Sequence, residues 1–224
     1  MNITDIENPV VEGDRLELIF QKQRELILKY HDIEKKNGLL QTEEMPVNIN
    51  DRKGQARIKD FAWRVMEEVG EAVDAIIIDK DFTHYCEELI DGLHFLTELT
   101  INAGYGPDDL IPKNTPVEGF RDKLDIICHM VNLECENVAN SITRTRTLLC
   151  TELVRNLGMT CNCLKNKPWK QSMMLTDEAQ FLSNLRMTWW VYMYWLYTEM
   201  GCNGIYNVYF KKNEVNKFRQ RSNY

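Results

Sequence analysis

Apolar residues recur at helical spacing along nearly the whole chain, and this feature restricts its fold more than any other. Leu16, Ile19, Gln23, Leu26, Tyr30 and Ile33 follow a three-four rhythm over residues 14–35. Phe61, Val65, Val69, Ala72, Val73 and Ile76 repeat it over 56–79, and Tyr85, Leu89, Leu93, Leu96 and Leu99 over 83–103. Strict two-residue alternation, the mark of a half-buried strand, is rare. Only 11 glycines and 6 prolines punctuate the 224 residues, too few for the many turns of an all-β plan. The expectation is an all-α helical bundle, one domain over residues 1–224.

The breaks between periodic stretches order the remaining helices. Residues 36–54 are polar, contain Gly38, Pro46 and Gly54, and read as a connection. The turn at 79–81 is short, so its flanking helices should pack antiparallel as a hairpin. In Thr115-Pro116-Val117-Glu118, Thr115 can cap, Pro116 loses no bond at the first helical position and Glu118 completes a capping box; the pattern predicts a helix from there to about 137. Another helix is expected over 141–156, stopping before Gly158, followed by an irregular patch to Met174. Residues 116–174 carry no motif and read as a possible helical insertion. Thr176 is read as the cap of a helix containing Leu182, Leu185, Trp189, Trp190, Tyr194 and Leu196, which Gly201 breaks; a last helix spans 204–220. The Trp189–Trp195 run is too apolar for one exposed face. It is covered by its own domain or by a second subunit, and the enrichment of aromatics at interfaces leads to the expectation of a homodimer.

Twenty-seven Lys and Arg against 34 Asp and Glu leave a net charge of −7. That balance argues against direct nucleic-acid binding, while a small basic site could still hold a phosphate. No apolar run approaches the roughly 20 residues that cross a bilayer, and the first ten residues do not resemble a secretory signal. Seven cysteines, an odd number without regular spacing, favour free thiols in a reducing cell interior. A cytoplasmic location is expected.

The chemistry is concentrated in the hairpin. One helix reads Glu67-Glu68-Val69-Gly70-Glu71 and the next Glu87-Glu88-Leu89-Ile90-Asp91-Gly92-Leu93-His94. Residues three apart share a helix face, so Glu68 projects with Glu71, and Glu88 with Asp91. Four carboxylates facing one another across a hairpin repel unless a cation lies between them. Oxygen ligands suit a hard divalent cation, and Mg²⁺ is the usual partner of phosphate substrates. A held water, activated by the metal or by a carboxylate such as Glu68 or Glu71, could then attack phosphorus. Against this stands the plain reading of EExxE as a solvated run of helix formers. The second acidic pair at hairpin distance favours the metal. Gly70 and Gly92 each cost about 0.8–1.0 kcal/mol inside a helix, so each asks for a close approach or for room for a ligand. A di-iron centre would need Glu-x-x-His on two helices, whereas the chain has only Asp91 followed by His94, which reads as a satisfied histidine or a neighbour of the acids. Cys161-x-Cys163 is too tight for structural zinc. GxxxxGK[ST], GxGxxG and GxSxG motifs are missing.

Two further features sit outside the hairpin. Gln23 is the one polar member of the first apolar stripe, and is either partly exposed or an amide facing a ligand. Near the C-terminus, Lys212, Asn216 and Arg219 are spaced by four and three, so an amine, an amide and a guanidinium share one stripe. They suit phosphate oxygens or a phosphate with a sugar hydroxyl, unless they are simply a solvated basic end.

With these residues the chain resembles the all-alpha nucleotide pyrophosphatases, which include the MazG-like enzymes, the dimeric dUTPases and related phage dCTPases. Their EExxE followed by ExxD is matched by Glu67, Glu68, Glu71, Glu88 and Asp91. Asp91-Gly92-Leu93-His94-Phe95 is similar to the D-x-x-H-F of the dUTPase and dCTPase branch. That branch's K-x-x-x-N-x-x-R-Q-x-x-x-Y is matched by Lys212, Asn216, Arg219, Gln220 and Tyr224. The resemblance covers 15–105 and 175–224. It implies a MazG-like bundle in which the four acids bind Mg²⁺ and the C-terminal motif closes over a triphosphate, releasing nucleoside monophosphate and pyrophosphate. It also implies dUTP first and dCTP second as substrates, Gln23 at the base, and a homodimer, phage-encoded and working in the host cytoplasm. The alternatives are a MazG-like enzyme for other nucleoside triphosphates and a helical interaction protein without catalysis. The lysine- and tryptophan-rich segment that often follows EExxE is missing, with only Lys80 nearby.

Overall fold

The computed structural model describes the backbone of residues 2–139 and 146–221, and the side chains of 2–131 and 146–221. Among the described residues every regular element is helical: α1 (Arg15–Lys36), α2 (Arg52–Asp74), α3 (Phe82–Asn102), the single turn α4 (Pro107–Leu110), α5 (Lys123–Ala139), α6 (Arg146–Asn162) and α7 (Glu178–Arg221), with a 3₁₀ turn at Ile3–Asp5. The first three long helices start on aspartate caps. Asp14 accepts from the N–H groups of Leu16 and Glu17, Asp51 from Gly54 and Asp81 from His84. The end of α2 widens into a π-type turn over Ala75–Asp79, which Lys80 closes in a left-handed conformation (φ 55°).

α2 and α3 form the expected hairpin, and α7 lies along α3 and α6. Phe61, Val65, Val69 and Ala72 pack with Leu89, Leu93 and Leu96 in one apolar core, to which α5 and α6 add Leu124, Ile127, Leu149, Leu153 and Leu157. Polar tips of core aromatics are tied down as burial requires. Trp189 Nε1 donates to Thr100 Oγ1 (2.8 Å), Trp195 Nε1 to the Tyr85 hydroxyl (2.7 Å), and the Tyr192 hydroxyl to the Leu89 carbonyl (2.7 Å).

The structure departs from the sequence expectations at three helix boundaries, and at two of them, the starts of α5 and α7, a distant partner outweighs the local signal. The Thr115–Glu118 box starts no helix; the Thr115 N–H closes a turn onto Pro112. α5 begins seven residues after Pro116, where Asp122 caps Asp125 (3.0 Å) and binds the buried Arg15 guanidinium (2.6 Å). α6 runs on through Gly158. Asp177, not Thr176, caps α7, accepting from Gln180 N–H (2.9 Å), because the Thr176 hydroxyl donates to the Ile49 carbonyl (2.8 Å). Gly201 does break the helical path, at φ 65° and ψ 168°.

The Trp189–Trp195 run also packs differently. Trp189, Tyr192, Met193 and Trp195 are fully buried within the chain itself, and only Trp190 and Tyr194 are half-buried. The run is core, so it no longer argues for a second subunit.

Candidate active site

The i,i+3 pairing on α2 and the packing of α3 against it bring one oxygen each of Glu68, Glu71 and Glu88 within 4.8 Å of one another. Gly92 makes the approach of α7 to this part of α3 possible, because a Cβ there would collide with the Tyr192 hydroxyl. Gly70 has no such reason: a Cβ would meet nothing within 4 Å. Asp91, close enough for its charge to act on Glu68, holds Lys212, whose Nζ lies 2.6 Å from Asp91 and 3.5 Å from Glu87. His84, which the sequence reading passed over, puts Nε2 2.8 Å from Glu88 Oε1. Its i,i+4 spacing was the available signal.

Charge crowding shows in the titration of these groups. Burial, a hydrogen bond with Glu88 and the nearby charges of Asp91, Glu88 and Glu71 push the Glu68 carboxyl up to about 8. Asp91 is pushed up to about 6 by burial, with Lys212 opposing. A carboxyl that keeps its proton near neutral pH lacks cationic compensation. Hard oxygen donors at this spacing fit Mg²⁺, which would bind them as carboxylates and displace that proton.

Glu68 and Asp91 also line a cavity of about 190 Å³, together with Gln23, His94, Glu98, Asn216 and Arg219. The structure therefore brings the two ends of the sequence to one place: Asn216 and Arg219 share a wall with the hairpin acids. Tyr224 lies outside the described residues. Gln23 is 2% exposed, which overturns its reading as a partly exposed residue. Its Nε2 donates to Glu98 Oε2 (2.9 Å), and its Oε1 meets the Tyr209 hydroxyl (2.9 Å) and His94 Nδ1 (2.8 Å). His94 stacks on Tyr209 with ring centroids 3.9 Å apart. Burial, with the Lys212 charge, depresses His94 to about 3, so the ring is neutral. Its hydrogen bond to Gln23 makes it part of the cavity wall rather than a ligand of the acids. Burial raises Glu98 to about 7. Glu98 and Tyr209 were both missed from sequence. Glu98 had a signal, since Glu88, Asp91, His94 and Glu98 descend α3 at spacings of three, three and four; Tyr209 had none beyond being aromatic.

The fold and the site define an all-helical protein with a carboxylate cluster beside a polar cavity. A family model described as dUTPase matches residues 15–224, and the chain belongs to that family. The match runs through 116–174, where no motif was recognisable, so α5 and α6 lie within the family's span. No curated protein and no solved structure matches the chain.

Proposed function

We propose that the protein hydrolyses dUTP, and secondarily dCTP, to the nucleoside monophosphate and pyrophosphate, with Mg²⁺ held by Glu68, Glu71, Glu88 and Asp91. One observation carries this reading: in a chain of the dUTPase family, three carboxylates converge within 4.8 Å beside a cavity that Asn216 and Arg219 also line. Bound there, Mg²⁺ would offset the repulsion among the acids and act as a Lewis acid on phosphate oxygens. Glu68 or Glu71 would take the proton of an attacking water. Arg219 presents a planar fork to two phosphate oxygens and Asn216 an amide to a phosphate or sugar hydroxyl. Lys212, now on Asp91, and Tyr224 complete the phosphate side, and Gln23 faces the base.

The working form is a homodimer in the cytoplasm. The six described cysteines outside residues 132–139 are free thiols, as suits a reducing interior. Ile77, Ile78 and Phe82 are exposed together at the hairpin turn, an apolar corner open to a second chain. Among the described residues no helix is long and apolar enough to cross a membrane.

A panel of deoxynucleoside triphosphates with Mg²⁺, scored for pyrophosphate release, tests the reaction. dUTP should be turned over fastest and dCTP next, and chelation of Mg²⁺ should stop both. Release from other nucleotides instead would favour the MazG-like alternative, and no release at all would leave the helical interaction protein.

A further inference from the structure

We infer that Glu98 is a positioning residue which sets the hydrogen-bonding polarity of Gln23, and that the cavity thereby selects uracil over cytosine. The inference deepens the hydrolysis proposed above and rests on it. A glutamine amide has two N–H groups and an oxygen with two lone pairs, and it can face either way. At pH 8, above the value to which burial raises Glu98, its carboxylate is ionised and can only accept, so Glu98 Oε2 at 2.9 Å draws the amide nitrogen to its side. The oxygen then points the other way, to His94 Nδ1 (2.8 Å) and to the Tyr209 hydroxyl (2.9 Å), whose one hydrogen lies nearer to Gln23 than to its other acceptor, the Ile19 carbonyl (3.2 Å). One N–H is all that remains of the amide. His94 must carry its proton on Nδ1 to donate to that oxygen, which leaves Nε2 a bare lone pair. This Nε2 is buried and has no hydrogen-bond partner in the protein.

Gln23, His94 and Glu98 are 2%, 5% and 2% exposed, and all three line the cavity beside the acids. The wall thus offers one donor, from Gln23, and one acceptor, from His94. The edge of uracil carries the complement: O4 accepts and N3–H donates. Cytosine in the same pose presents an amine to the Gln23 N–H and an unprotonated ring nitrogen to the His94 lone pair. Both contacts are then inverted, and desolvated polar groups are left unpaired, the situation in which a polar site rejects an analogue strongly. Glu98 need not touch the base to have this effect. Without its carboxylate the amide is free to turn over, and the polarity of the wall is lost.

The test is kcat/KM for dUTP and dCTP at pH 8 with Mg²⁺, for the wild-type chain, Glu98→Gln and Glu98→Met. The wild type should prefer dUTP by at least tenfold, and both variants should bring the ratio close to one with helicity retained by circular dichroism. A variant that slows both substrates equally and keeps the wild-type ratio would make Glu98 a packing residue and overturn the inference. A wild type that treats the two alike, or prefers dCTP, would overturn it while leaving hydrolysis standing. Failure of the wild type to hydrolyse either would defeat the hydrolysis reading, and this inference with it. Calorimetric titration of the wild type needs no variant to fold: dUMP should bind at least tenfold more tightly than its N3-methyl derivative, which has no proton to give His94. Equal binding of the two would overturn the inference.

Discussion

Glu68 shows how a single side chain reports on the cluster around it. Its carboxyl titrates near 8 because burial and three neighbouring acids disfavour its charge. Glu71 is the exposed member of the same cluster, so it can be removed without opening the core. Glu71→Ala should lower turnover on the order of a hundredfold or more, while the melting temperature of the Mg²⁺-free protein holds or rises as repulsion falls; a scanning calorimeter and a pyrophosphate assay read the two effects. Glu98 and His94 make a pH prediction. Glu98 moves from 4.5 to about 7 in the fold, so its stabilising share is complete below 4.5 and lost as pH rises through 7. His94 moves from 6.5 to about 3, so its share is complete above 6.5 and lost as pH falls towards 3. Between pH 6.5 and 8, below the ordinary range of the buried cysteines and tyrosines, the raised carboxyls dominate, Glu68 in the same direction as Glu98. The Mg²⁺-free protein should lose roughly 1 kcal/mol from Glu98 between pH 6.5 and 8, and Glu98→Gln should flatten that slope in denaturant titrations.

At the scale of elements, three glycines separate by what surrounds them. Gly92 admits the Tyr192 hydroxyl against α3, Gly201 holds a backbone turn of φ 65° and ψ 168°, and Gly70 faces open space. The conformation at Gly201 is one that side chains avoid, and it aims the last stretch of α7, with Lys212, Asn216 and Arg219, at the hairpin. Gly201→Ala should cost about 1–3 kcal/mol and depress turnover by misdirecting that stretch. Gly70→Ala should instead gain about 0.8–1.0 kcal/mol of stability, the ordinary difference between the residues within a helix. Urea midpoints for the two variants, moving in opposite directions, check both.

Over the whole molecule, the site depends on contacts between residues more than 100 positions apart. Arg15 joins α1 to Asp122 and Asp125 and, through Asn203 at 2.7 Å, to the segment just past Gly201. Lys212 joins α7 to Asp91 on α3. With the aromatic run of α7 spent on the core, the exposed corner at Ile77, Ile78 and Phe82 is where a homodimer would bury apolar surface. Light scattering should give twice the chain mass, and Ile77→Asp should reduce it to one chain with the melting temperature kept. A single-chain mass for the wild type at all concentrations would remove the dimer.

The sequence by itself determined the helical class, the α2–α3 hairpin, the pairing of Glu68 with Glu71 and the break at Gly201. These follow from spacing along one helix or from one residue's backbone freedom, and both are local properties. Only the tertiary structure decided that Asp122 starts α5, that Trp189 and Trp195 face inward, that Asp91 holds Lys212, and that Gln23 is gripped by Glu98, His94 and Tyr209. In each case a side chain chose among competing partners from distant parts of the chain. Spacing along one helix shows which face a residue occupies, but not which other helix will cover that face.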